Sequence, residues 1–87
     1  MPHSPEDRKR AMTRLSRIRG QTESLSAAIA KGSECAAVLQ QLAAIRGAIN
    51  GLMAEILEGH MREEFGHLTD NAAGIDEAIA MVRSYLK

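Results

Sequence analysis

The side chains with the greatest chemical reach sit at opposite ends of one segment, Glu34 to Glu64. Cys35, the chain's one cysteine, opens it, and His60 and Glu64 close it. His60 and Glu64 are four residues apart, so they share a helix face with a fixed relative direction. The second set is basic. Arg10, Arg14 and Arg17 recur at spacings of four and three, with Lys9 and Arg19 beside them. No acid falls between Asp7 and Glu23. A solubilising face usually mixes signs, so this stripe reads as arginines left unpaired for phosphates. Arg46, further along the chain, can approach the same stripe.

The segment that carries Cys35 and His60 is a helix by its apolar spacing. Val38, Leu42, Ile45, Ile49, Leu52 and Ile56 step by four, three, four, three and four, with no proline. A second row, Met53, Leu57, His60 and Glu64, runs beside the C-terminal half. Such a helix is about 45 Å long at roughly 1.5 Å per residue. That is too long for 87 residues to cover, so the chain requires a partner. Cys35 and His60 lie about 37 Å apart along it and cannot share a ligand within one chain. Small residues, Ala43, Ala44, Gly47, Ala48 and Gly51, fill the middle. Two interior glycines each cost roughly 1 kcal/mol, which points to a close approach there. Antiparallel pairing about Gly47–Ala48 brings Cys35 of one chain to the His60 end of the other, giving two identical mixed sites. A buried small cysteine and an ordinary surface histidine account for the same spacing.

Two further helices flank this one. Ser4 reads as an N-cap, with Pro5 at the first helical position and Asp7 three residues after the cap. The first helix runs from Pro5 to about Ala30 on the seam Ala11, Leu15, Ile18, Thr22, Leu25 and Ile29, widened by Met12. Lys31-Gly32-Ser33 breaks it: Gly32 suits a left-handed cap and Ser33 can cap the next helix. So short a connection makes an antiparallel hairpin. Cys35 then falls in the first turn, where exposed amides make a thiol more reactive than one in mid-helix. A third helix from about Asn71 to Leu86 follows from Ile75, Ala78, Ile79, Val82 and Leu86. It can pack across a dimer or join two dimers. His67 reads as a solvent-facing loop residue.

Residues 1–87 read as a single all-α domain, near the size at which oligomerisation aids stability. One cysteine excludes an internal disulfide, and no apolar run spans a membrane. The polar, charged start does not resemble a secretory signal, which points to the cytoplasm. One Tyr, one Phe and no Trp leave little surface for stacking exposed bases. The net charge is zero but unevenly spread. Residues 1–19 hold six basic and two acidic groups, and residues 20–87 hold five basic and nine acidic ones. That asymmetry favours duplex nucleic acid, and oligomerisation would multiply the basic patch.

Cys35, the block Val38-Leu39-Gln40-Gln41-Leu42-Ala43-Ala44-Ile45-Arg46-Gly47-Ala48, Asn50-Gly51-Leu52-Met53, Arg17-Ile18-Arg19-Gly20-Gln21 and His60 together resemble the CsoR/RcnR family of bacterial transcriptional repressors. The resemblance covers essentially the whole chain. It implies a three-helix protomer with a long central helix, an antiparallel dimer, and a tetramer made of two such dimers. It also implies binding to operator DNA without a helix-turn-helix. Phosphate contacts would come from Arg14 and Arg17 with Lys9, Arg10, Arg19 or Arg46. Such contacts position a protein without specifying bases, so selectivity needs other side chains or DNA shape.

The branches of this family differ at their effector positions. The copper-sensing branch resembles a Cys-His-Cys arrangement. Cys35 and His60 match it, but Glu64 offers oxygen near the place of the second thiolate, which disfavours a cuprous ion. The nickel/cobalt branch is similar at His3, Cys35 and His60, and Glu64 replaces its last histidine. The formaldehyde-responsive branch looks closest, with Pro2, Cys35, His60 and Glu64 all in place. The initiator Met precedes a small residue, so its removal would expose Pro2 as a secondary amine. α-Amino groups titrate close enough to neutrality to leave part of it unprotonated. Pro2 and Cys35 of different subunits would then join through a methylene bridge, with His60 or Glu64 managing protons. This is stoichiometric sensing without turnover, and not enzyme chemistry. No cofactor is required. Cys35, His60 and Glu64, with His3 or the terminal nitrogen, also suit zinc, cobalt or nickel. The alternative function is therefore a nickel-, cobalt- or zinc-responsive repressor. A helical adaptor that binds no DNA is a third reading.

Overall fold

The computed structural model describes residues 1–65 and 72–85, and they form three helices. These are α1, Pro5–Ala30; α2, Cys35–Phe65; and α3, Ala72–Tyr85. The all-α protomer with a long central helix is therefore the architecture observed. α1 packs along α2 as an antiparallel hairpin, and α3 packs on α2.

Local chemistry sets each boundary. Ser4 is extended (φ −65°, ψ 142°), and its Oγ accepts the Asp7 amide at 3.1 Å, with Pro5 opening α1. The far end closes as a Schellman turn. Gly32 holds φ +73°, its amide donates to Ile29 O at 3.1 Å, and Ser33 N donates to Ala28 O at 3.0 Å. Ser33, whose type suggested a cap for α2, stands two residues before that helix, and its amide completes the turn that ends α1. Glu34 precedes α2 instead, and its carbonyl accepts the first helical bond from Val38 N at 3.1 Å.

The apolar seams of α1 and α2 meet only in part. Ala11, Ile18 and Ala28 from α1 and Ile45 from α2 are buried, joined by Ile79 of α3. Other members of the same seams stay open: Ile29 is 59 % exposed, Leu42 43 % and Ile49 42 %. The reason is shape. The chain measures 55 × 26 × 12 Å. Its least dimension is close to that of a single helix, so among the described residues the helices lie in one layer and no second layer covers the hairpin. α3 is held against the C-terminal half of α2, where Ala54, Leu57 and Met61 meet Ile79 and Val82, and Arg83 pairs with Glu58. Asn71, Leu86 and His67, and the side chains of Ile75 and Ala78, lie outside the described residues. Among the described residues no helix is long and apolar enough to cross a membrane.

Candidate functional site

α1 runs back along α2, so its start lies against the end of α2, and that end receives the amino-terminal arm. Pro2 is fully buried. It rests on Gly59, where an added Cβ would meet Pro2 Cβ at 2.9 Å and Pro2 Cγ at 3.1 Å. The amino group of Met1 meets His60 Nδ1 at 2.5 Å. The amides of His3 and Ser4 both donate to Glu63 Oε1, at 2.5 and 3.2 Å. Glu63 thus takes the Ser4 amide that a capping box would give to the residue three after the cap. Asp7 occupies that position, but its carboxylate turns to Arg10.

Pro2 and His60, both expected at the effector site, are brought together within one protomer. Cys35 is not. It is exposed at the opposite end of α2, about 37 Å away along the helix. Glu64 is exposed too, and the residue that grips the arm is its neighbour Glu63. His3 enters through its backbone amide rather than its ring. Among the described residues no three His, Cys, Asp or Glu side chains converge well enough to hold a metal ion. Within one protomer the nitrogen groups of the arm and His60 and the sulfur of Cys35 lie at opposite ends of α2.

The basic face differs from the unpaired stripe that its spacing suggested. Arg14 Nε makes a close ion pair with Glu55 Oε2, without a directed hydrogen bond. Arg10 Nε faces Glu55 Oε1 at 3.4 Å, and Arg10 also pairs with Asp7. The Arg14 guanidinium lies over Gly51, where an added Cβ would fall 2.8 Å from Nη1. Gly51 is thus open to this chain's own arginine, whereas a Cβ at Gly47 would meet nothing within 4 Å. Lys9, Arg10, Thr13, Arg14, Arg17 and Glu55 line one groove of about 300 Å³. Arg17 also borders a second, of about 490 Å³, with Gln21, Ser24 and Gln41. Arg46 lines a different groove beside Leu39, Leu42 and Ala43. Arg19 is exposed.

Glu55, Gly59 and Glu63 carry this arrangement, and sequence reasoning passed over all three. Their signal was legible: Gly51, Glu55, Gly59 and Glu63 recur every four residues along one face of α2. Glycine admits a neighbour and glutamate anchors one, in turn.

Residues 7–84 match the family described as metal-sensitive transcriptional repressors. The chain belongs to that family. These repressors, of the CsoR/RcnR type, are DNA-binding regulators and not enzymes. Among solved structures, a variant of the formaldehyde-responsive regulator FrmR from Salmonella enterica serovar Typhimurium is similar. It is 44% identical, covers 99% of this chain and 100% of its own, and superposes with a TM-score of 0.71. The transcriptional repressor RcnR of Salmonella paratyphi B is 42% identical over the full length of both chains. A Serratia marcescens protein described only by its place in the bioA 5′ region is 45% identical, again over both full lengths.

Proposed function

We propose that this repressor is formaldehyde-responsive, and that its sensor is the pair Pro2 and Cys35 drawn from different subunits. The observation that carries the reading is the seat of Pro2. It is buried over Gly59, beside His60, at the end of α2 remote from its own Cys35. Likeness to a formaldehyde-responsive regulator over the whole chain supports the same reading.

Antiparallel pairing of two single-domain protomers along α2 places the partner's exposed thiol near this seat. The open faces of Leu42 and Ile49 supply apolar surface for that pairing, and two such dimers assemble as a tetramer. Removal of Met1, whose amino group now meets His60 Nδ1, frees the Pro2 nitrogen one residue further along the arm. The secondary amine adds to formaldehyde to give an N-hydroxymethyl group. Loss of hydroxide as water, with one proton supplied, leaves an iminium ion. The partner's thiolate attacks its carbon, forming N–CH2–S. One amine hydrogen and one thiol hydrogen depart with the aldehyde oxygen as one water molecule, and nothing is oxidised or reduced. His60 is placed to handle the proton, with Glu64 near the same helix end.

The bridge pulls the start of α1 onto the partner's α2. Lys9, Arg10, Arg14, Arg17 and Arg19, together with Arg46 of α2, hold operator phosphates before the bridge forms. Their register across the tetramer is lost afterwards, and the DNA is released. The test is peptide mass spectrometry of metal-free, reduced protein after low-dose formaldehyde. A one-carbon link between the Pro2 and Cys35 peptides, with release of labelled duplex, is expected. Absence of both would end the proposal.

The family's description as metal-sensitive favours one second reading. Cys35, His60 and Glu64, with His3 or the terminal nitrogen, would bind zinc, cobalt or nickel across the same interface. Metal-dependent loss of duplex affinity in formaldehyde-free buffer would select it.

A further inference from the structure

We propose that Glu55 is a positioning residue for DNA binding: its carboxylate fixes Arg10 and Arg14 of α1 by their Nε edges, so that their outer nitrogens present to phosphate. This rests on the reading of the basic face as the operator surface.

Three observations carry it. Glu55 is the acidic residue in the groove lined by Lys9, Arg10, Thr13, Arg14 and Arg17, and its side chain is only 21 % exposed. Both arginines approach it through Nε, Arg10 at 3.4 Å and Arg14 in closer contact. Their own side chains remain 59 % and 48 % exposed. A guanidinium has five donors in a rigid fork. With Nε on Glu55, Arg10 Nη2 on Asp7 and Arg14 Nη1 over Gly51, the donors that remain for phosphate are those of Arg10 Nη1 and Arg14 Nη2. Gly51 completes the seat by letting the Nη1 end of the Arg14 head approach α2 closely.

The opposite possibility is a decoy, in which Glu55 occupies the arginines and DNA must displace it. Burial argues against this. Moving both arginines away would leave a largely buried carboxylate without a counter-charge, a state far costlier than an exposed one. The arrangement instead keeps the pair intact while the complex forms, and the two arginines act from fixed positions.

The two possibilities predict opposite signs. Simple Coulomb reasoning says that neutralising an acid beside DNA strengthens binding. Positioning says that it weakens binding. The experiment selects a duplex from a random pool with the wild-type tetramer, labels it, and measures affinity by anisotropy across a salt series. Glu55→Gln is expected to bind about tenfold more weakly and to lose about one phosphate contact from the salt slope. In an Arg10→Ala/Arg14→Ala background the same change is expected to have no further effect, which a general loss of fold would not reproduce. Arg14→Lys keeps the charge but not the Nε edge, and is expected to weaken binding similarly, so the test survives if Glu55→Gln folds poorly. Unchanged or tighter binding by Glu55→Gln, an additive loss in the double-alanine background, or wild-type affinity in Arg14→Lys would overturn the role of Glu55. Failure of the wild type to select any duplex would instead overturn the DNA-binding surface, and this role with it.

Discussion

Pro2 fills the space that a side chain at Gly59 would occupy: a Cβ on Gly59 would stand 2.9 Å from Pro2 Cβ. The absence of a side chain in the last third of α2 is therefore what seats the amino-terminal arm. Asp7 Oδ2 closes the same space from the first turn of α1, 3.3 Å from that Cβ position.

Replacing Gly59 with alanine separates the arm from the fold. Alanine is better than glycine in a helix by roughly 1 kcal/mol, so the melting temperature should hold or rise. The arm should be displaced, with faster cleavage before Ser4 in limited proteolysis. Formaldehyde crosslinking should slow by on the order of tenfold as the oriented amine is lost. An unchanged rate would show that the seat of Pro2 does not organise the reaction.

Cys35 is exposed and is distant from the arginine groove of its own chain. Cys35→Ser should keep duplex affinity within about twofold, as surface changes away from special contacts shift free energy by at most about 0.5 kcal/mol. Release by formaldehyde should disappear altogether. Anisotropy before and after the aldehyde checks both statements, and residual release would move the nucleophile elsewhere.

Position 64 should set the balance between aldehyde and metal. Glu64→His replaces a hard oxygen donor with imidazole, which suits nickel and cobalt better. Competition against a chromophoric chelator should show tighter nickel and cobalt binding, by on the order of tenfold or more for a ligand gained. Unaltered metal affinity would place Glu64 outside the effector site.

Ile49 lies in the open part of the α2 seam. Ile49→Asp should shift sedimentation towards smaller species. It should also remove the concentration dependence of melting expected of the wild type. If the wild type melts at one temperature across a hundredfold dilution, the exposed seam is not an assembly face.

Much of this was legible from periodicity. The 3.5-residue apolar spacing located α1 and α2 closely, because a chain buries one stripe per helix whatever lies opposite. Ser4, Pro5 and Gly32 announced their turns by conformational preference. The charged groups were less readable. Counting signs along α1 left Arg14 unpaired, since its acid, Glu55, lies more than forty residues away in sequence, and it passed over Asp7, three residues before Arg10. Glu63 was overlooked for the same reason: its partners are backbone amides of the arm, and an amide carries no residue-type signal. Pairing across a hairpin depends on the register of two helices, and a short connection gives their direction without giving that register.

A layer 12 Å deep has almost no inside. With Ile29, Leu42 and Ile49 open to water, much of the apolar surface of this chain lies outside its own core. Under the proposed pairing along α2, folding and assembly become one equilibrium, and its variable is copy number. As a cell dilutes the protein by growth, occupancy of an operator should fall more steeply than the concentration itself. Gene dosage and expression level would then act as a second input to the switch, beside whatever small molecule meets the arm.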